Sequence, residues 1–485
     1  MAFPVEGYAA IGTFKYHLFL LLCGGYVAVM VILRLQLALI GSRPIGNLRV
    51  SLREMPLTLK LLFLFLTCTA ISALLSDYPG TFIGAFRQDG LLTVTIYVLI
   101  CFFVSKYIQP QKWMLYLLGI GAVAFALLAF VQLTGANPFM LYPAGYNYYG
   151  KGVYYSGAFL STIGNSGLGA AYVALAAGVL AMALIKCAFR GKWLLGIAFF
   201  IVTLLIFEMD IDAAFVALSA GFLLMLPVAV TNQRTLANTL FVLAVILAAF
   251  CLSQMLVFQD GPIVFAPIRT LFLLATGAVL LLAVLVREMD IFADVSQRWY
   301  RCGAAVVLFL TISAALVYLW FYDGYPGGMI YEASQVLRGR WDDTFGTRRV
   351  YIWRNVLAHI RWGNLLFGTG PDTLGFWTIE SFTRYVPETG RTLVAGIDAA
   401  HNEYLHLLAT NGLLALLSYL AALIVAAVHW LRRPNHPLLA VTGAGMLFYG
   451  IQAFFGISMP ITAPFFWACF AVFIYAQNLK EEEKT

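Results

Sequence analysis

The chain has 485 residues, of which 62% are hydrophobic and only 11% are charged, and its net charge is +7. A soluble domain carries about 25% charged residues, so this composition excludes a string of soluble globular domains. The basic excess lies mostly at the edges of apolar runs, which indicates a membrane-topology signal and not a nucleic-acid surface.

Apolar runs follow one another along the chain and predict membrane-spanning helices. A spanning helix needs roughly 20 apolar residues, because lipid offers the backbone no hydrogen-bond partners. Thirteen runs approach this length, at 16–40, 57–76, 89–108, 113–133, 166–185, 193–208, 211–230, 236–258, 264–286, 302–321, 412–431, 437–458 and 461–478. No cleavage site follows the first run, which is therefore expected to be a retained span.

These runs predict an all-α fold, a polytopic transmembrane helical bundle of about 12–13 spans. Residues 1–321 form an N-terminal bundle of about 10 spans. Residues 322–411 form one large polar loop containing short helices, and residues 412–485 form two or three further spans with a short tail.

Lysine and arginine give this bundle an orientation. Most of them fall in alternate short loops, at Arg43, Arg49, Arg53, Lys60, Lys106, Lys112, Lys186, Arg190, Lys192, Arg234, Arg287, Arg298, Arg301, Arg432, Arg433, Lys480 and Lys484. The opposite short loops hold Lys15, Arg87, Lys151 and Arg269. The positive-inside rule then predicts a multi-pass membrane protein with loop 322–411 extracytoplasmic.

A Tyr-rich segment, 142–155, lies on the same predicted side. Its aromatic rings fit an interfacial belt or a surface that stacks on sugar rings, and both interpretations stay open. The cysteines contain no C-x-x-C pair, so we predict neither a disulfide framework nor a thiolate metal site. No motif of the chain predicts a cofactor. Asp210 and Asp212 could bind a divalent metal, but two acids in one turn are thin support.

The large loop contains eight arginines and no lysine, at Arg338, Arg340, Arg348, Arg349, Arg354, Arg361, Arg384 and Arg391. Guanidinium groups bind phosphate oxygens in a bidentate way and stay charged, so anion binding is one interpretation. Ion pairing with the acids of the loop is the other.

Residues 346–360 have apolar positions at helical spacing, with Thr347 as the expected N-cap. Arg349 would lie in the first turn, where free N–H groups favour an anion. Gly368 to Asp372 reads as a tight turn and not as a nucleotide-binding loop.

Residues 398–412 predict a second helix, with Asp398 as the N-cap and Asn411-Gly412 as the stop. His401 would lie in its first turn, where the helix N-terminus lowers the imidazole pKa and keeps the ring neutral. A general base and a purely structural histidine are both possible there.

The motifs of the loop together resemble those of the O-antigen ligase and polymerase family of membrane glycosyltransferases. They are Gly346-Thr-Arg-Arg-Val-Tyr-Ile-Trp353, Gly368-Thr-Gly-Pro-Asp372 and His401-Asn-Glu-Tyr-Leu405 through Asn411-Gly-Leu-Leu414. Weaker similarities extend to Ser76-Asp-Tyr-Pro79 with Arg87-Gln-Asp-Gly-Leu91 and to Ser161-Thr-Ile-Gly-Asn165. Many relatives have a Ser-Arg pair where this chain has Glu208-Met-Asp-Ile-Asp212.

The resemblance implies a GT-C-like, metal-independent, inverting glycosyltransferase of cell-surface polysaccharide biosynthesis. Its donor would be an undecaprenyl-diphosphate-linked glycan and its acceptor a glycan, lipid or protein, with no nucleic acid involved. The implied catalytic residues are His401, as the base, and Arg349. The implied substrate-binding or diphosphate-binding residues are Arg348, Arg87, Asn402, Tyr404 and Asp372. A transporter or flippase of lipid-linked oligosaccharide and a non-catalytic glycan-assembly protein are the alternatives.

Overall fold

The computed structural model describes residues 7–39, 54–134, 136–141, 161–188, 190–209, 211–258, 263–267, 269–289, 292, 294–386 and 391–479. The Tyr-rich segment 142–155 and Asp210 lie outside the described residues. So do several basic residues used to orient the bundle, namely Arg43, Arg49, Arg53, Lys151, Lys480 and Lys484.

The described chain is all-α apart from two short antiparallel hairpins. The first eleven helices are α1 (Ile11–Phe19), α2 (Gly25–Leu39), α3 (Leu57–Leu74), α4 (Leu91–Tyr107), α5 (Lys112–Leu133), α6 (Ser166–Lys186), α7 (Lys192–Glu208), α8 (Asp212–Ala229), α9 (Gln233–Met255), α10 (Thr270–Glu288) and α11 (Gln297–Phe321). The polar segment contains α12 (Met329–Leu337), α13 (Phe345–His359) and α14 (Glu403–Asn411). The last three helices are α15 (Leu413–Arg432), α16 (Pro437–Ala453) and α17 (Ala463–Asn478). The hairpins pair β1 (Leu256–Phe258) with β2 (Ile263–Phe265), and β3 (Phe382–Val386) with β4 (Arg391–Ala395).

The long apolar helices identify a multi-pass membrane protein. Within the described residues, nine helical segments are long and apolar enough to cross a membrane, and α4 and α16 are shorter apolar helices. Every one of the thirteen predicted apolar runs contains a helix. The helical fold is therefore confirmed. The sequence predicts 12–13 spans, and nine of the described helical segments have full spanning length.

Helix α6 lies at the centre of the bundle, and its whole apolar window is buried. Its small residues allow neighbouring helices to approach closely, as is typical of membrane bundles. A Cβ atom added at Gly178 would meet the backbone of Ala444 and the ring of Phe448, both on α16. A Cβ atom at Gly221 of α8 would meet the same ring. Helices α6, α8 and α16 thus pack around Phe448.

The two ends of the bundle differ in chemistry. Helix α8 begins at Asp212, whose charge acts on Arg349, and ends near Pro227, whose carbonyl accepts a hydrogen bond from Arg301 Nε (3.1 Å). Arg301 Nη2 also donates to the carbonyl of Leu431 at the end of α15 (2.7 Å). The polar segment 322–411 therefore lies at the end of the bundle opposite to Arg301.

Gly412 separates α14 from α15, as the sequence predicts. Its φ is +88°, a left-handed conformation that glycine adopts without steric cost. A Cβ atom there would meet the backbone of Leu366, Phe367 and Gly368. The N–H of Leu413 donates to the carbonyl of Leu365 (2.8 Å). The break between the helices is thus fixed against the segment that precedes the Gly368–Asp372 turn.

Replacing Gly412 with alanine is expected to lower the stability of the protein, because a left-handed alanine costs about 1–2 kcal/mol before any steric clash. Gly303→Ala on α11 is the matched control. A Cβ atom at Gly303 meets nothing within 4 Å, and alanine favours a helix. Thermal unfolding in detergent should show a lower Tm for Gly412→Ala and an equal or higher Tm for Gly303→Ala. Equal Tm values for Gly412→Ala and the natural protein would contradict this account.

Candidate active site

Arg349 occupies the first regular position of α13. Gly346, Thr347 and Arg348 all have positive φ angles, so regular helical geometry begins only after Arg348. The expected N-cap role of Thr347 is wrong, because its hydroxyl donates to the carbonyl of Gly346 (2.6 Å). Residues 346–348 thus form a left-handed turn where a capped helix start was expected, and Arg349 is the first residue of the regular helix.

Backbone and side-chain oxygens hold the Arg349 guanidinium. Its Nε donates to the carbonyl of Phe455 (3.2 Å), and its Nη1 donates to the Gly346 carbonyl and to Thr347 Oγ1 (both 2.9 Å). Burial lowers the pKa of Arg349, and the negative charges of Asp212 and Glu332 oppose that change. Such a guanidinium remains a cation at every relevant pH.

The loop between α3 and α4 brings Arg87 to the same region. The Asp372 carboxylate, only 2% exposed, accepts hydrogen bonds through Oδ2 from the N–H groups of Phe86 (2.9 Å) and Arg87 (2.6 Å). Arg87 Nη2 in turn lies 2.5 Å from Asp398 Oδ1. The buried carboxylate of Asp372 therefore fixes the backbone of Arg87, and the partly exposed carboxylate of Asp398 fixes its side chain.

The Gly368–Asp372 segment is a tight turn, as the sequence predicts. Gly368, Gly370 and Asp372 all have positive φ angles. The N–H of Gly370 donates to the carbonyl of Thr410 (2.8 Å), and the hydroxyl of Ser76 donates to the carbonyl of Thr369 (2.5 Å). The turn thereby ties the loop before α4 to α14.

The start of α14 differs from the sequence prediction. The helix begins at Glu403, and its N-cap is Asn402, whose Oδ1 accepts a hydrogen bond from the N–H of Leu405 (3.0 Å). Asp398 is not the cap, because its carboxylate is paired with Arg87. His401 therefore precedes the cap and has a φ of +48°, instead of lying in the first turn.

His401 is held neutral by its surroundings. Burial, together with smaller contributions from the cations Arg349 and Arg87 and with Asp398 opposing, lowers its pKa to about 4. The cause is thus burial beside two guanidinium groups, and not the helix N-terminus that the sequence suggested. Because both arginines act on this imidazole, residues from three distant parts of the chain converge on one site.

The other predicted substrate contacts have mixed positions. Asn402 is 6% exposed and serves as the cap of α14, and the Tyr404 hydroxyl donates to the carbonyl of Gly450 (2.8 Å). With Asp372 facing the backbone of the Arg87 loop, these three side chains hold the backbone around the site in position, and their role as substrate contacts stays a prediction. The Arg348 guanidinium lies 6.0 Å from the centre of the ring of Phe382, the first residue of β3.

Sequence reasoning missed three members of the site. Asp398 was taken for a helix cap, and Asp212 and Glu332 were not connected with Arg349. Positions 87 and 398 are 311 residues apart, so no local spacing could have revealed their ion pair.

The arrangement combines two fixed cations with a neutral imidazole. No protein-family model and no curated protein significantly matches the chain. Two guanidinium groups can bind an oxyanion such as a diphosphate, and a neutral imidazole can accept a proton. Within the described residues, no three His, Cys, Asp or Glu side chains are grouped to hold a metal ion.

Removing the Asp372 carboxylate is expected to loosen the Arg87 loop. Asp372→Gly is the suitable substitution, because glycine adopts the φ of +58° without strain and only the carboxylate is lost. Hydrogen–deuterium exchange of the amides of residues 84–90 should become faster. Asp323→Gly is the control, since Asp323 is 86% exposed and pairs with Arg338 elsewhere. Unchanged protection of residues 84–90 in Asp372→Gly would contradict the positioning role.

Proposed function

We propose that the protein is a membrane glycosyltransferase of the O-antigen ligase or polymerase type. It transfers or polymerises a glycan from a polyprenyl-diphosphate-linked donor onto an acceptor hydroxyl. The observation that carries this proposal is the convergence of Arg349, Arg87 and His401, because the two cations lie close enough to change the pKa of the imidazole.

The reaction needs no cofactor chemistry in this scheme. The acceptor oxygen attacks the anomeric carbon, the bond from that carbon to the diphosphate oxygen breaks, and the bonding electrons leave with the diphosphate. The acceptor proton passes to His401. Arg349 and Arg87 stabilise the negative charge that grows on the leaving diphosphate, and fixed cations in a partly buried site do so with little reorganisation. Attack from the face opposite the diphosphate inverts the sugar configuration.

The donor also prepares the base. Without substrate, burial and, to a smaller extent, the charges of Arg349 and Arg87 make it costly to protonate His401, which is then a weak base. A bound diphosphate neutralises the charge of the two arginines and raises the pKa of His401 by removing their contribution. His401 therefore becomes an effective base only after the donor is in place, which protects the donor from attack by water before binding is complete.

The position of the site at one end of the bundle supports an extracytoplasmic reaction. Arg301, one of the residues expected in the cytoplasm, lies at the opposite end, where it binds the carbonyls of Pro227 and Leu431. By the positive-inside rule, segment 322–411 then faces the exterior of a bacterial plasma membrane. A lipid-linked donor would present its diphosphate at that surface.

A transporter of lipid-linked oligosaccharide is the second candidate. The buried carboxylic acids Asp89 and Glu403 favour it, since transporters commonly carry buried ionisable groups. However, Asp89 and Glu403 lie outside the helices that span the membrane, and transport gives Arg349 and His401 no joint chemical role. A non-catalytic assembly protein likewise leaves the neutral His401 unused.

Transfer activity should depend on His401 and Arg349. With the protein reconstituted beside a polyprenyl-diphosphate oligosaccharide, longer or transferred glycan should form together with free polyprenyl diphosphate. His401→Ala should lower the rate by about 10²–10⁴-fold, because a general base is lost. Arg349→Ala should lower it by about 10²–10³-fold, because a charge-stabilising group is lost.

Two variants in the same segment are matched controls for that assay. His359 and Arg361 are exposed, and His359→Ala and Arg361→Ala should keep near-normal rates. Translocation of the intact donor across vesicles, without release of polyprenyl diphosphate, would replace the transferase with the transporter. Full activity of both His401→Ala and Arg349→Ala would keep an enzyme but overturn this site.

The pH dependence should reveal how the donor changes His401. A base with a lowered pKa is active above that pKa, so the rate falls as the pH drops through it. Because kcat/KM follows the free enzyme and kcat follows the complex, the acid limb of kcat/KM should lie near a pH of about 4. The acid limb of kcat should lie at higher pH. Arg349→Gln should shift the kcat/KM limb upward, and Arg361→Gln should not. Coincident limbs in the natural protein would contradict activation of His401 by the donor.

A further inference from the structure

A small internal cavity lies behind the candidate active site, between α4, α14, α16 and α17. Its volume is about 70 Å³, and the side chains that line it include Asp89, Asp372, Glu403, His406, Tyr97 and Ser458. Aromatic rings, among them Trp467, form its opposite wall. Several ionisable side chains in the wall of a cavity among apolar helices are unusual.

Three buried polar atoms in the wall of this cavity are unsatisfied by the protein. Asp372 Oδ1, the Tyr97 hydroxyl and His406 Nδ1 have no hydrogen-bond partner among the described residues. Asp372 is 2% exposed and Tyr97 is 1% exposed, so bulk water does not reach them. A cavity of this volume is large enough for water, and a buried water needs two to four such polar partners. The geometry therefore fits internal water.

The carboxylic acids around the cavity hold protons near neutral pH. Burial and, to a smaller extent, the charge of Asp372 raise the pKa of Asp89 to about 7, with a hydrogen bond from the Ser458 hydroxyl opposing. Burial and, to a smaller extent, the charge of Asp89 raise the pKa of Glu403 to about 8, with the hydrogen bond that the Tyr449 hydroxyl donates (2.9 Å) opposing. Asp89 and Glu403 also affect each other through charge repulsion, so they share one electrostatic environment.

His406 connects the cavity with the active site. Its ring lines the cavity, and its backbone N–H donates to the carbonyl of Asn402, the residue next to His401 (2.8 Å). Burial, with smaller contributions from the charges of Arg87 and His401 and with Asp398 opposing, lowers the pKa of His406 to about 4. His406 therefore lies one helical turn from the proposed catalytic base, and its ring is in contact with the carboxylic-acid cavity.

We propose that the cavity formed by Asp89, Asp372, Glu403 and His406 is a water-containing proton-binding site that receives, through His406, the proton removed by His401. The second half of this proposal rests on the proposed function. The proton leaves the acceptor hydroxyl for His401, passes by way of the neutral His406, and ends on Asp89 or Glu403 in the fraction of molecules in which that carboxylate is ionised, since their pKa values of about 7 and about 8 leave each of them partly ionised near neutral pH. His401 returns to its neutral form, and no electron is transferred.

Several further groups face these side chains and contribute to their titration. Asp89 is also within electrostatic range of Tyr16 of α1 and Tyr97 of α4, and Glu403 is within range of Tyr404 and Tyr419. His406 is within range of Arg87, Asp398 and His401. The arginines lower the pKa of the two histidines, and the carboxylic acids raise the pKa of one another. Protons are therefore held at the carboxylic acids and not at the imidazoles.

Infrared spectroscopy of the purified, substrate-free protein tests the proton site directly. The carbonyl stretch of a protonated carboxylic acid should be present below neutral pH and should disappear as the pH rises through about 7 to 8. Glu403→Gln and Asp89→Asn should each remove part of this band. Glu288→Gln, which changes an acid that is 72% exposed, should leave the band unchanged.

Several results would overturn the proton site. The first is the absence of the band from the natural protein at pH 6. The second is a band that stays unchanged in both Glu403→Gln and Asp89→Asn. The third is loss of the band when sodium or calcium is added, which would indicate a cation site. All three are measured without substrate, so they leave the transferase proposal standing. Conversely, a normal band in a protein without transferase activity would overturn the proposed function and leave the proton site intact.

Kinetics test the connection to the reaction. Glu403→Gln should lower kcat by up to about 10²-fold, the lower end of the contribution of a proton acceptor, with an unchanged KM for the donor. An equal loss in Glu288→Gln, or an unchanged kcat in Glu403→Gln, would overturn proton transfer to the cavity.

Discussion

The ion pair between Arg87 and Asp398 is the interaction on which the rest of the site depends. It joins the loop before α4 to the segment between β4 and α14, across 311 residues of sequence. Asp372 fixes the same loop from the other side by accepting two backbone hydrogen bonds. Without these carboxylates, Arg87 would have no defined position, and His401 would lose one of the two cations that keep it neutral. A charged cluster of this kind is costly to bury, so each charge needs a partner.

The transmembrane part of the fold was largely predictable from the sequence, because the length of an apolar run is set by the thickness of a membrane. Local chemistry also predicted the Gly368–Asp372 turn and the break at Gly412, since both depend on residues that accept positive φ angles. The start of α13 was not predictable, because three consecutive left-handed residues replace the expected cap at Thr347. The start of α14 was mistaken for a related reason. Asp398 is a good cap in isolation, but a distant arginine competes for its carboxylate.

The candidate site was predictable in part. Arg349, Arg87 and His401 were selected from three separate motifs, and the fold brings them within electrostatic range of one another. Asn402, Tyr404 and Asp372 belong to the same motifs, but their side chains hold α14 and the Arg87 loop in place. A motif cannot distinguish a residue that contacts substrate from one that positions its neighbour, because both are required at fixed spacing. The acidic cavity was invisible to sequence reasoning, since Asp89, Asp372 and Glu403 come from three unconnected segments.

The central claim is that the diphosphate of the donor binds between Arg349 and Arg87, and that the anomeric carbon of the donor sugar faces His401. A cryo-electron microscopy structure of the protein with a non-transferable polyprenyl-diphosphate sugar analogue tests this claim most directly. The account predicts diphosphate oxygens within hydrogen-bond distance of both guanidinium groups and the sugar on the His401 side. A diphosphate bound elsewhere, with Arg349 and Arg87 retaining only their present partners, would contradict it.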